Sequence, residues 1–554
     1  MKFLNYTDIS KEISTLYNRD AMISDFLAFA SKIERSKIER PDYIRPFKIA
    51  LLSNFTLQGL PEVMRSLAWF YHLDLAIYLG PYDQYAQEIL NEDSGFNRFN
   101  PDVVFLCLDA PGVEFDDISS LIERLRQRVK RVVLWNFAGN QDAERLNQRC
   151  ADVFASQREI YIFDFKKFLS DDRVRESWYS KYKDLGDYRL APSAFRLLAE
   201  ALIGEIISDT GVLRKCLVLD ADNTLWKGIV GEDGVGGIAP FIPVQEVALS
   251  LYKKGILLAL NSKNNERDAT EVFESHSEML LGRNHFSAWQ VNWNDKLSNL
   301  MLIAKELNIG TDSLVFVDDN PSELEYVRCH APEVTVLFPE RLKDFVGFNS
   351  RSLTDEDRAR SLMYQVEKER KVFQHTTSNL TEYLKGLALS VRVSSVNEKS
   401  IARVSQLTQK TNQFNLTTRR YTEDELRRQL RRGWKILTLS SLDKFGDYGI
   451  TGVCIIAPVT DAVWRIDTML LSCRILGKGI EQAFLWSIFD YAKKNGIKNI
   501  RAEFIKTAKN APSEHFLPDN GFQAIANIGD TLQYEYNLKV PYDKPSFVHV
   551  TLDL

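Results

Sequence analysis

Short apolar runs alternate with amphipathic stretches along the first third of the chain. Stretches such as 118–129 between the runs have the apolar spacing of a helix. This alternation predicts a mostly parallel, doubly wound sheet over residues 46–212, preceded by a helical N-terminal arm over residues 1–45. The runs are Phe47–Leu52, Leu73–Leu79, Val103–Leu108, Val132–Trp135 and Ile160–Phe163.

In the next stretch, apolar runs end directly in polar residues that could carry chemistry. The runs end at Leu219, Leu260 and Val317. Ligands of open α/β sheets bind outside the carboxyl ends of the strands, so we expect a second α/β domain over residues 213–350 with a site at that edge. The residues that follow the runs are Asp220, Asn261-Ser262 and Asp318-Asp319.

The remainder of the chain has a different pattern. A charged helical stretch over residues 351–375 is predicted to be a connector. Residues 376–554 then mix helices with strand-like runs, which indicates an α+β domain with an antiparallel component. The strand-like runs are Trp434–Leu439, Gly452–Ala457, Val463–Leu471, Ile500–Phe504 and Leu532–Tyr536.

Length, charge and cysteine usage narrow the class of protein. A chain of 554 residues is too long for one hydrophobic core. A net charge of -5 gives no whole-chain case for binding nucleic acid. No apolar stretch is long enough to cross a bilayer, the N-terminus lacks a secretory apolar region, and the cysteines form no C-x-x-C pair. We therefore expect a cytoplasmic multidomain protein without a nucleic-acid or membrane partner.

The strongest local signal is the run that ends in Asp220 and continues to Asp222. Neighbouring carboxylates repel one another, so such a pair is costly unless a cation neutralises it. Hard oxygen ligands suit Mg²⁺. One carboxylate could then attack phosphorus while the other handles the proton of the leaving group. A lone D-x-D after a strand is also common as a plain turn.

Four short motifs follow one another in the order found in the haloacid dehalogenase superfamily, which this part of the chain resembles. Its first motif, D-x-D-x-T, matches Asp220–Thr224. The resemblance implies that Ser262 binds the transferring phosphoryl group, that Lys296 neutralises its charge, and that Asp318 and Asp319 form the acidic metal site.

The same resemblance assigns further roles. Asp220 would form an aspartyl-phosphate and Asp222 would act as acid and base. Mg²⁺ would be held by Asp220, the Asp222 backbone carbonyl, Asp318 and Asp319, and Thr224 and Asn264 would contact the substrate. The glycine-rich stretch 226–238 suits a hairpin flap. No insertion large enough for a cap domain follows, so we expect an open site that admits a bulky or protein-borne substrate.

Longer motifs resemble the FkbH-like branch of this superfamily. They are CLVLDADNTLWKGIVGEDG, LNSKN and VFVDDNPSE, with LTQKTNQFNLTTRRYT, DKFGDYG and LLSCRILGKGIE towards the C-terminus. The resemblance implies transfer of a glyceryl (C3) unit from 1,3-bisphosphoglycerate to an acyl carrier protein, with phosphate release, in polyketide-type biosynthesis. Two other functions compete with acyl loading. The chain could be a phosphatase for a small phosphorylated metabolite or a non-catalytic scaffold.

The N-terminal domain resembles a degenerate SGNH hydrolase. Ser53 follows a strand as a nucleophile would, but His72 is the only histidine before His276 and lies early in the domain. A Ser-His-Asp constellation is therefore missing from its expected position, and we expect a structural or docking role.

The C-terminal domain contains an R-x-x-G-x-G motif formed by Arg474, Gly477 and Gly479. Glycines at a helix start expose backbone N–H groups that bind phosphate. The motif resembles the pyrophosphate loop of GCN5-type acetyltransferases and would here hold a phosphopantetheine arm, although a plain strand-to-helix turn is the alternative. Cys473 could carry an acyl group as a thiolate, or could be a small core residue.

Two groups of residues complete these predictions. The other cysteines, which are Cys107, Cys150, Cys216, Cys329 and Cys454, are predicted to lie in the core. A basic cluster could be a solvated helix face or could dock an acidic carrier protein. Its members are Lys410, Arg419, Arg420, Arg427, Arg428, Arg431 and Arg432.

Overall fold

A computed structural model describes residues 2–19, 21–139, 141–154, 157, 159–175, 186–349, 380–472, 475–507 and 510–554. Three large sheets lie in succession along the chain, two of them parallel and the last mixed. The chain is therefore a multidomain α/β protein, as its pattern predicts. The connector predicted at residues 351–375 lies outside the described residues. Among the helices described, none is both long and apolar enough to cross a membrane.

The N-terminal arm contains helices α1 (Tyr6–Asn18) and α2 (Ile23–Glu34). It also contains two short strands that the sequence did not predict, β1 (Lys2–Leu4) and β2 (Ser36–Ile38), which pair in parallel. The side chain of Asn18 donates to the Val336 carbonyl at 3.2 Å and accepts the Phe338 N–H at 3.0 Å. The arm thus packs on the second domain.

The first domain is built on a five-stranded parallel sheet. Alternate residues of the strand at Arg45–Ser53, Ile49 and Leu51 against Ala50 and Leu52, enter separate apolar cores on the two faces of the sheet. This arrangement confirms the doubly wound prediction, whereas the likeness to SGNH hydrolases stays a prediction. The strands are β3 (Arg45–Ser53), β4 (Leu73–Leu79), β5 (Val103–Cys107), β6 (Arg131–Trp135) and β7 (Ile160–Phe163). They lie side by side in the order β4-β3-β5-β6-β7. The helices are α3 (Leu60–Phe70), α4 (Tyr85–Leu90), α5 (Gly95–Phe99), α6 (Phe115–Leu125), α7 (Gln141–Phe154), α8 (Phe165–Leu169) and α9 (Phe195–Thr210).

The second domain is also built on a five-stranded parallel sheet, in the order β12-β11-β8-β13-β14. Its strands are β8 (Cys216–Leu219), β11 (Leu257–Ser262), β12 (Phe286–Val291), β13 (Leu314–Val317) and β14 (Thr335–Leu337). Its helices are α10 (Val230–Asp233), α11 (Ile242–Lys253), α12 (Glu266–Ser275), α13 (Lys296–Glu306) and α14 (Pro321–His330). Strands β9 (Trp226–Lys227) and β10 (Ala239–Pro240) form an antiparallel hairpin that encloses α10. Strand β8 lies at the centre of the sheet, where the chain switches sides.

The third domain contains a nine-stranded mixed sheet, in the order β21-β22-β20-β19-β18-β17-β15-β23 with β16 paired to β19. Most neighbours are antiparallel, which confirms the α+β prediction. The strands are β15 (Ser390–Ser395), β16 (Phe414–Asn415), β17 (Lys435–Asp443), β18 (Gly446–Thr460), β19 (Val463–Leu471), β20 (Asn499–Ile505), β21 (Gln523–Ile528), β22 (Thr531–Asn537) and β23 (His549–Asp553). The helices are α15 (Leu380–Gly386), α16 (Ile401–Lys410), α17 (Glu423–Arg431), α18 (Ile480–Lys494) and α19 (Phe516–Asp519).

One cysteine departs from the predicted core. Cys107, Cys150, Cys216 and Cys454 are buried, but Cys329 is exposed. The prediction for Cys329 is wrong because α14 buries its neighbours Val327 and Arg328, while position 329 lies a further 100° around the helix.

Candidate active site

The central strand of the second domain brings Asp220 to the carboxyl edge of the sheet. Strand β8 consists of four buried apolar residues. The Asp220 N–H then donates to the Val317 carbonyl at 2.9 Å, so the ends of β8 and β13 stay paired at the point where both turn polar. Adjacent parallel strands therefore place Asp220 beside Asp318.

Three carboxylates converge here around a single lysine. One carboxylate oxygen from each of Asp220, Asp318 and Asp319 lies within 4.8 Å of the others. The Lys296 Nζ lies 2.9 Å from Asp220 Oδ1 and also contacts Asp318 Oδ2. The Asp220, Asp318 and Lys296 side chains are all buried.

The pKa values reflect this crowding. Burial raises the pKa of Asp220, and burial together with the charge of Asp220 raises the pKa of Asp318 to about 7. Burial and Asp220 also raise the pKa of Asp319. Burial opposes the charge of Lys296, but Asp220 and Asp318 more than offset it and the pKa of Lys296 is raised. One ammonium does not balance three carboxylates, so these residues fit a divalent cation, and all-oxygen ligands favour Mg²⁺.

Lys296 is held in place by the start of α13. The Asp295 side chain caps the helix by accepting the Ser298 N–H at 2.8 Å. The Asn261 side chain donates to the Lys296 carbonyl at 2.9 Å and accepts from Asn299 at 3.1 Å. The polar end of β11 therefore fixes the residue that carries the lysine.

Asp222 is held by hydrogen bonds from the hairpin and from Asn264. It accepts hydrogen bonds from Trp226 Nε1 at 2.7 Å, from the Val230 N–H at 3.2 Å and from Asn264 Nδ2 at 2.9 Å. Asn264 Nδ2 also lies 3.4 Å from the Ser262 hydroxyl, and a hydrogen bond from Ser262 partly offsets the rise that burial causes in the pKa of Asp220. The structure thus brings together the residues that the four motifs predicted.

Trp226 was missed by the sequence-based reasoning, which treated it only as part of the flap. Its position four residues after Asp222 was a usable signal, because a tight turn can return an indole N–H to a carboxylate at that spacing. Thr224 is placed differently from its predicted substrate contact. It is fully buried, and its hydroxyl has no hydrogen-bond partner within the described part of the chain.

The predicted phosphate loop in the third domain is partly engaged by its own chain. Gly477 and Gly479 have φ values of +74° and +73°, which favour glycine, and α18 begins directly afterwards. The Gly477 N–H donates to Glu481 Oε1 at 2.5 Å. Cys473 and Arg474 lie outside the described residues, so their predicted roles stay predictions.

The predicted basic cluster does not form one surface. Arg419 pairs with Asp467 and Glu503, at 2.7 and 2.6 Å. Arg420 donates to backbone carbonyls at the end of α16. The side chain of Arg427 pairs with nearby acidic residues. The exposed arginines of the cluster are Arg428, Arg431 and Arg432.

In the first domain, Ser53 and His72 lie apart. Ser53 ends β3 and its hydroxyl accepts the Phe55 N–H at 3.1 Å. His72 precedes β4, and its Nδ1 lies 2.9 Å from Arg214 Nη2. Because β3 and β4 are parallel, the two residues lie at opposite edges of the sheet, and they do not form a catalytic pair.

Comparison with known proteins gives the following likenesses. No family model and no curated protein matches the chain. The N-terminal part of a Bacteroides fragilis protein, solved with Mg and containing a phosphatase domain, is 24% identical over 64% of this chain and 96% of that chain, with a TM-score of 0.45. A structure described as a GNAT-family acetyltransferase from Desulfovibrio desulfuricans is 17% identical over 27% of this chain and 99% of that chain, with a TM-score of 0.22. The Campylobacter jejuni N-acetyltransferase PseH is 16% identical over 26% of this chain and 97% of that chain, with a TM-score of 0.20.

Proposed function

We propose that the second domain catalyses Mg²⁺-dependent phosphoryl transfer with Asp220 as the nucleophile. The observation that carries this proposal is the convergence of Asp220, Asp318 and Asp319 around Lys296 at the carboxyl ends of β8 and β13. A purely structural edge would pair its buried charges, whereas this edge keeps an excess of carboxylates. Asp220, Asp318 and Asp319 would hold the ion, which would supply charge neutralisation to the phosphoryl oxygens.

The chain's own residues divide the reaction between them. A carboxylate oxygen of Asp220 attacks phosphorus and the bond from phosphorus to the leaving oxygen breaks, which gives an aspartyl-phosphate. Lys296 stabilises the charge that develops on the phosphoryl oxygens. Asp222 gives a proton to the leaving oxygen and then takes one from the water that hydrolyses the intermediate.

Metal removal tests this assignment. EDTA should stop release of phosphate from p-nitrophenyl phosphate, and added Mg²⁺ should restore it. Mg²⁺ should also raise the thermal midpoint of the wild-type protein, because a ligand that binds only the folded state stabilises it. Asp319→Asn should lose most of this shift. Turnover that survives chelation, or an equal Mg²⁺ shift in the variant, would contradict the site.

We further propose that this chemistry serves acyl loading in an FkbH-like protein. The phosphopantetheine thiol of an acyl carrier protein would displace the C1 phosphate of 1,3-bisphosphoglycerate, and the Asp220 site would remove the C3 phosphate. The products would be a glyceryl thioester and two phosphates. The support is the run of family-like motifs through the second and third domains and the hairpin that leaves the site without a large cap.

Intact-mass spectrometry separates acyl loading from simple phosphate hydrolysis. A phosphopantetheinylated carrier protein is incubated with the enzyme and the acyl phosphate, with the unmodified carrier as control. Acyl loading predicts a mass gain of one glyceryl group on the modified carrier alone. Phosphate release without any gain would support the alternative, a phosphatase for a small phosphorylated metabolite.

The role proposed for Cys473 is tested in the same assay. If its thiol carries the acyl group, Cys473→Ala should reduce carrier loading by orders of magnitude, while Asp220-dependent phosphate release continues. Cys454→Ala is a suitable control because Cys454 is a buried cysteine on a strand. Normal loading by the Cys473 variant would eliminate the covalent route and leave the chemistry of Asp220 unaffected.

A further inference from the structure

The hydrogen bonds on Asp222 are unevenly divided between its two oxygens. Oδ1 accepts both bonds that come from the hairpin, from Trp226 Nε1 at 2.7 Å and from the Val230 N–H at 3.2 Å. Oδ2 accepts the bond from Asn264 Nδ2 at 2.9 Å. Since a carboxylate oxygen has two in-plane lone pairs, Oδ1 is fully occupied and Oδ2 keeps one acceptor position.

We infer that Trp226 is a positioning residue that aims Oδ2 of Asp222 at the leaving group of the substrate. The inference rests on the proposed phosphoryl transfer and assigns a role within it to a residue outside the four motifs. Oδ2 lies on the side of Asn264, whose amide nitrogen is 3.4 Å from the Ser262 hydroxyl. The oxygen able to exchange a proton thus faces the residues around the phosphoryl site.

Trp226 is well suited to hold the carboxylate. Its side chain is fully buried, and its ring packs edge-on against Phe273 of α12, with centroids 5.6 Å apart and planes at 69°. Its backbone is fixed by pairing with Pro240 in the hairpin. A bond from an indole N–H to a carboxylate is charge-assisted and stronger than a neutral one. Without it, Oδ1 would keep only the longer bond from Val230, and the carboxylate could rotate.

The chemistry predicts where this positioning matters. When the bond from phosphorus breaks, its electron pair goes to the leaving oxygen, which takes a proton from Oδ2 of Asp222. A basic leaving oxygen needs that proton, whereas p-nitrophenolate departs with little help. Hydrolysis of the aspartyl-phosphate is common to all substrates, whereas kcat/KM covers only the steps up to departure of the leaving group. Trp226 should therefore influence the dependence of kcat/KM on the basicity of the leaving group.

A matched pair of variants tests the inference. Trp289 packs edge-on against the same Phe273, with centroids 5.3 Å apart and planes at 67°, but its Nε1 has no hydrogen-bond partner among the residues described. Trp226→Phe and Trp289→Phe remove the same indole group, and only the first removes a bond to Asp222. For Trp226→Phe, kcat/KM on phenyl phosphate should fall about tenfold, while kcat/KM on p-nitrophenyl phosphate stays within about twofold. Trp289→Phe should affect both substrates equally.

A double-mutant cycle shows whether Trp226 acts through Asp222. In an Asp222→Asn background, Trp226→Phe should cause no further loss on phenyl phosphate. Should Trp226→Phe fold poorly, as its thermal midpoint would reveal, replacement of Trp226 by 3-benzothienylalanine preserves the ring shape and removes the N–H.

The outcomes separate this inference from the proposed function. A leaving-group dependence that is the same in the two tryptophan variants, or additive losses in the cycle, would overturn the role of Trp226. If Asp220→Asn abolishes phosphate release at the same time, phosphoryl transfer stands and only the positioning role fails. If Asp220→Asn retains phosphate release, the proposed function itself fails.

Discussion

The first two domains present the same kind of sheet edge, but their buried charges are paired to different extents. Both have a five-stranded parallel sheet with a buried aspartate close to the carboxyl end of its central strand. In the first domain, Asp109 follows β5, is almost fully buried, and pairs with Arg189. Arg189 also donates from Nε to Asp187 at 2.6 Å, and Asp187 accepts the hydroxyl of Tyr82 at 2.7 Å. This edge satisfies its charges internally.

In the second domain, Asp220, Asp318 and Asp319 share one lysine, and the pKa of each carboxyl is raised. The comparison teaches that sheet topology supplies a place for a site, whereas unbalanced charge at that place indicates chemistry. We expect the first edge to contribute to folding and the second to bind an ion. The variants below test that distinction.

The largest expected effect is on the nucleophile. Asp220→Asn should abolish phosphate release, because an amide does not attack phosphorus. It should not unfold the protein, since it removes one charge from a crowded carboxylate cluster. Phosphate release is measured beside the thermal midpoint. Wild-type turnover in the variant would show that the two edges do not differ as described.

Replacing Lys296 should have the next largest effect. Lys296→Met should lower kcat by about a hundred- to a thousandfold, because the phosphoryl oxygens lose a preorganised cation. Lys305→Met is the control, since Lys305 lies in the last turn of the same helix. A loss shared by both variants would point to damage to α13 instead of loss of charge stabilisation.

A substitution at the first edge should change the stability of the protein rather than the rate of phosphate release. Asp109→Asn leaves Arg189 facing a neutral amide, so it should cost about 1.5–3 kcal/mol of stability. Its kcat for phosphate release should equal the wild-type value when corrected for folded protein. Chemical denaturation and steady-state kinetics check the two parts. A large fall in kcat would show that this edge takes part in chemistry.

The smallest effect concerns Glu200, a buried carboxyl of the first domain that lies outside the cluster of Asp220, Asp318 and Asp319. Glu200 accepts the Tyr71 hydroxyl at 3.3 Å, and burial raises its pKa to about 7. The folded state then binds this proton more tightly than the unfolded state, so stability should fall as pH rises from about 4.5 to about 7.

The Gln side chain of Glu200→Gln resembles the protonated acid. The variant should therefore lose this contribution to the slope of the free energy of unfolding against pH, which is at most about 1.4 kcal/mol per pH unit. Denaturation across this range measures it. The difference between variant and wild type should not change with Mg²⁺, because the site of the ion lies in the second domain. Equal slopes in the two proteins would contradict a raised pKa of Glu200.

Much of the secondary structure could be predicted because it follows from local pattern. The apolar runs at Leu73–Leu79 and Val463–Leu471 are strands with those bounds. Segments whose pairing depends on distant partners were missed. The short strands β1 and β2 pair with each other across two helices, and β16 pairs with β19. None of the three is long enough to form an apolar run that a local pattern could reveal.

The sequence by itself determined which residues could carry chemistry. Asp220, Ser262 and Asp318 each follow an apolar strand, and parallel strands bring such ends to one edge. Tertiary structure alone decided how these groups share charge. It placed Lys296 between Asp220 and Asp318, turned Asp222 towards Trp226, and put Glu481 at the glycine loop. The physical reason is that apolar periodicity is a short-range property of the chain, whereas hydrogen bonding and electrostatic balance depend on distances that exist only after folding.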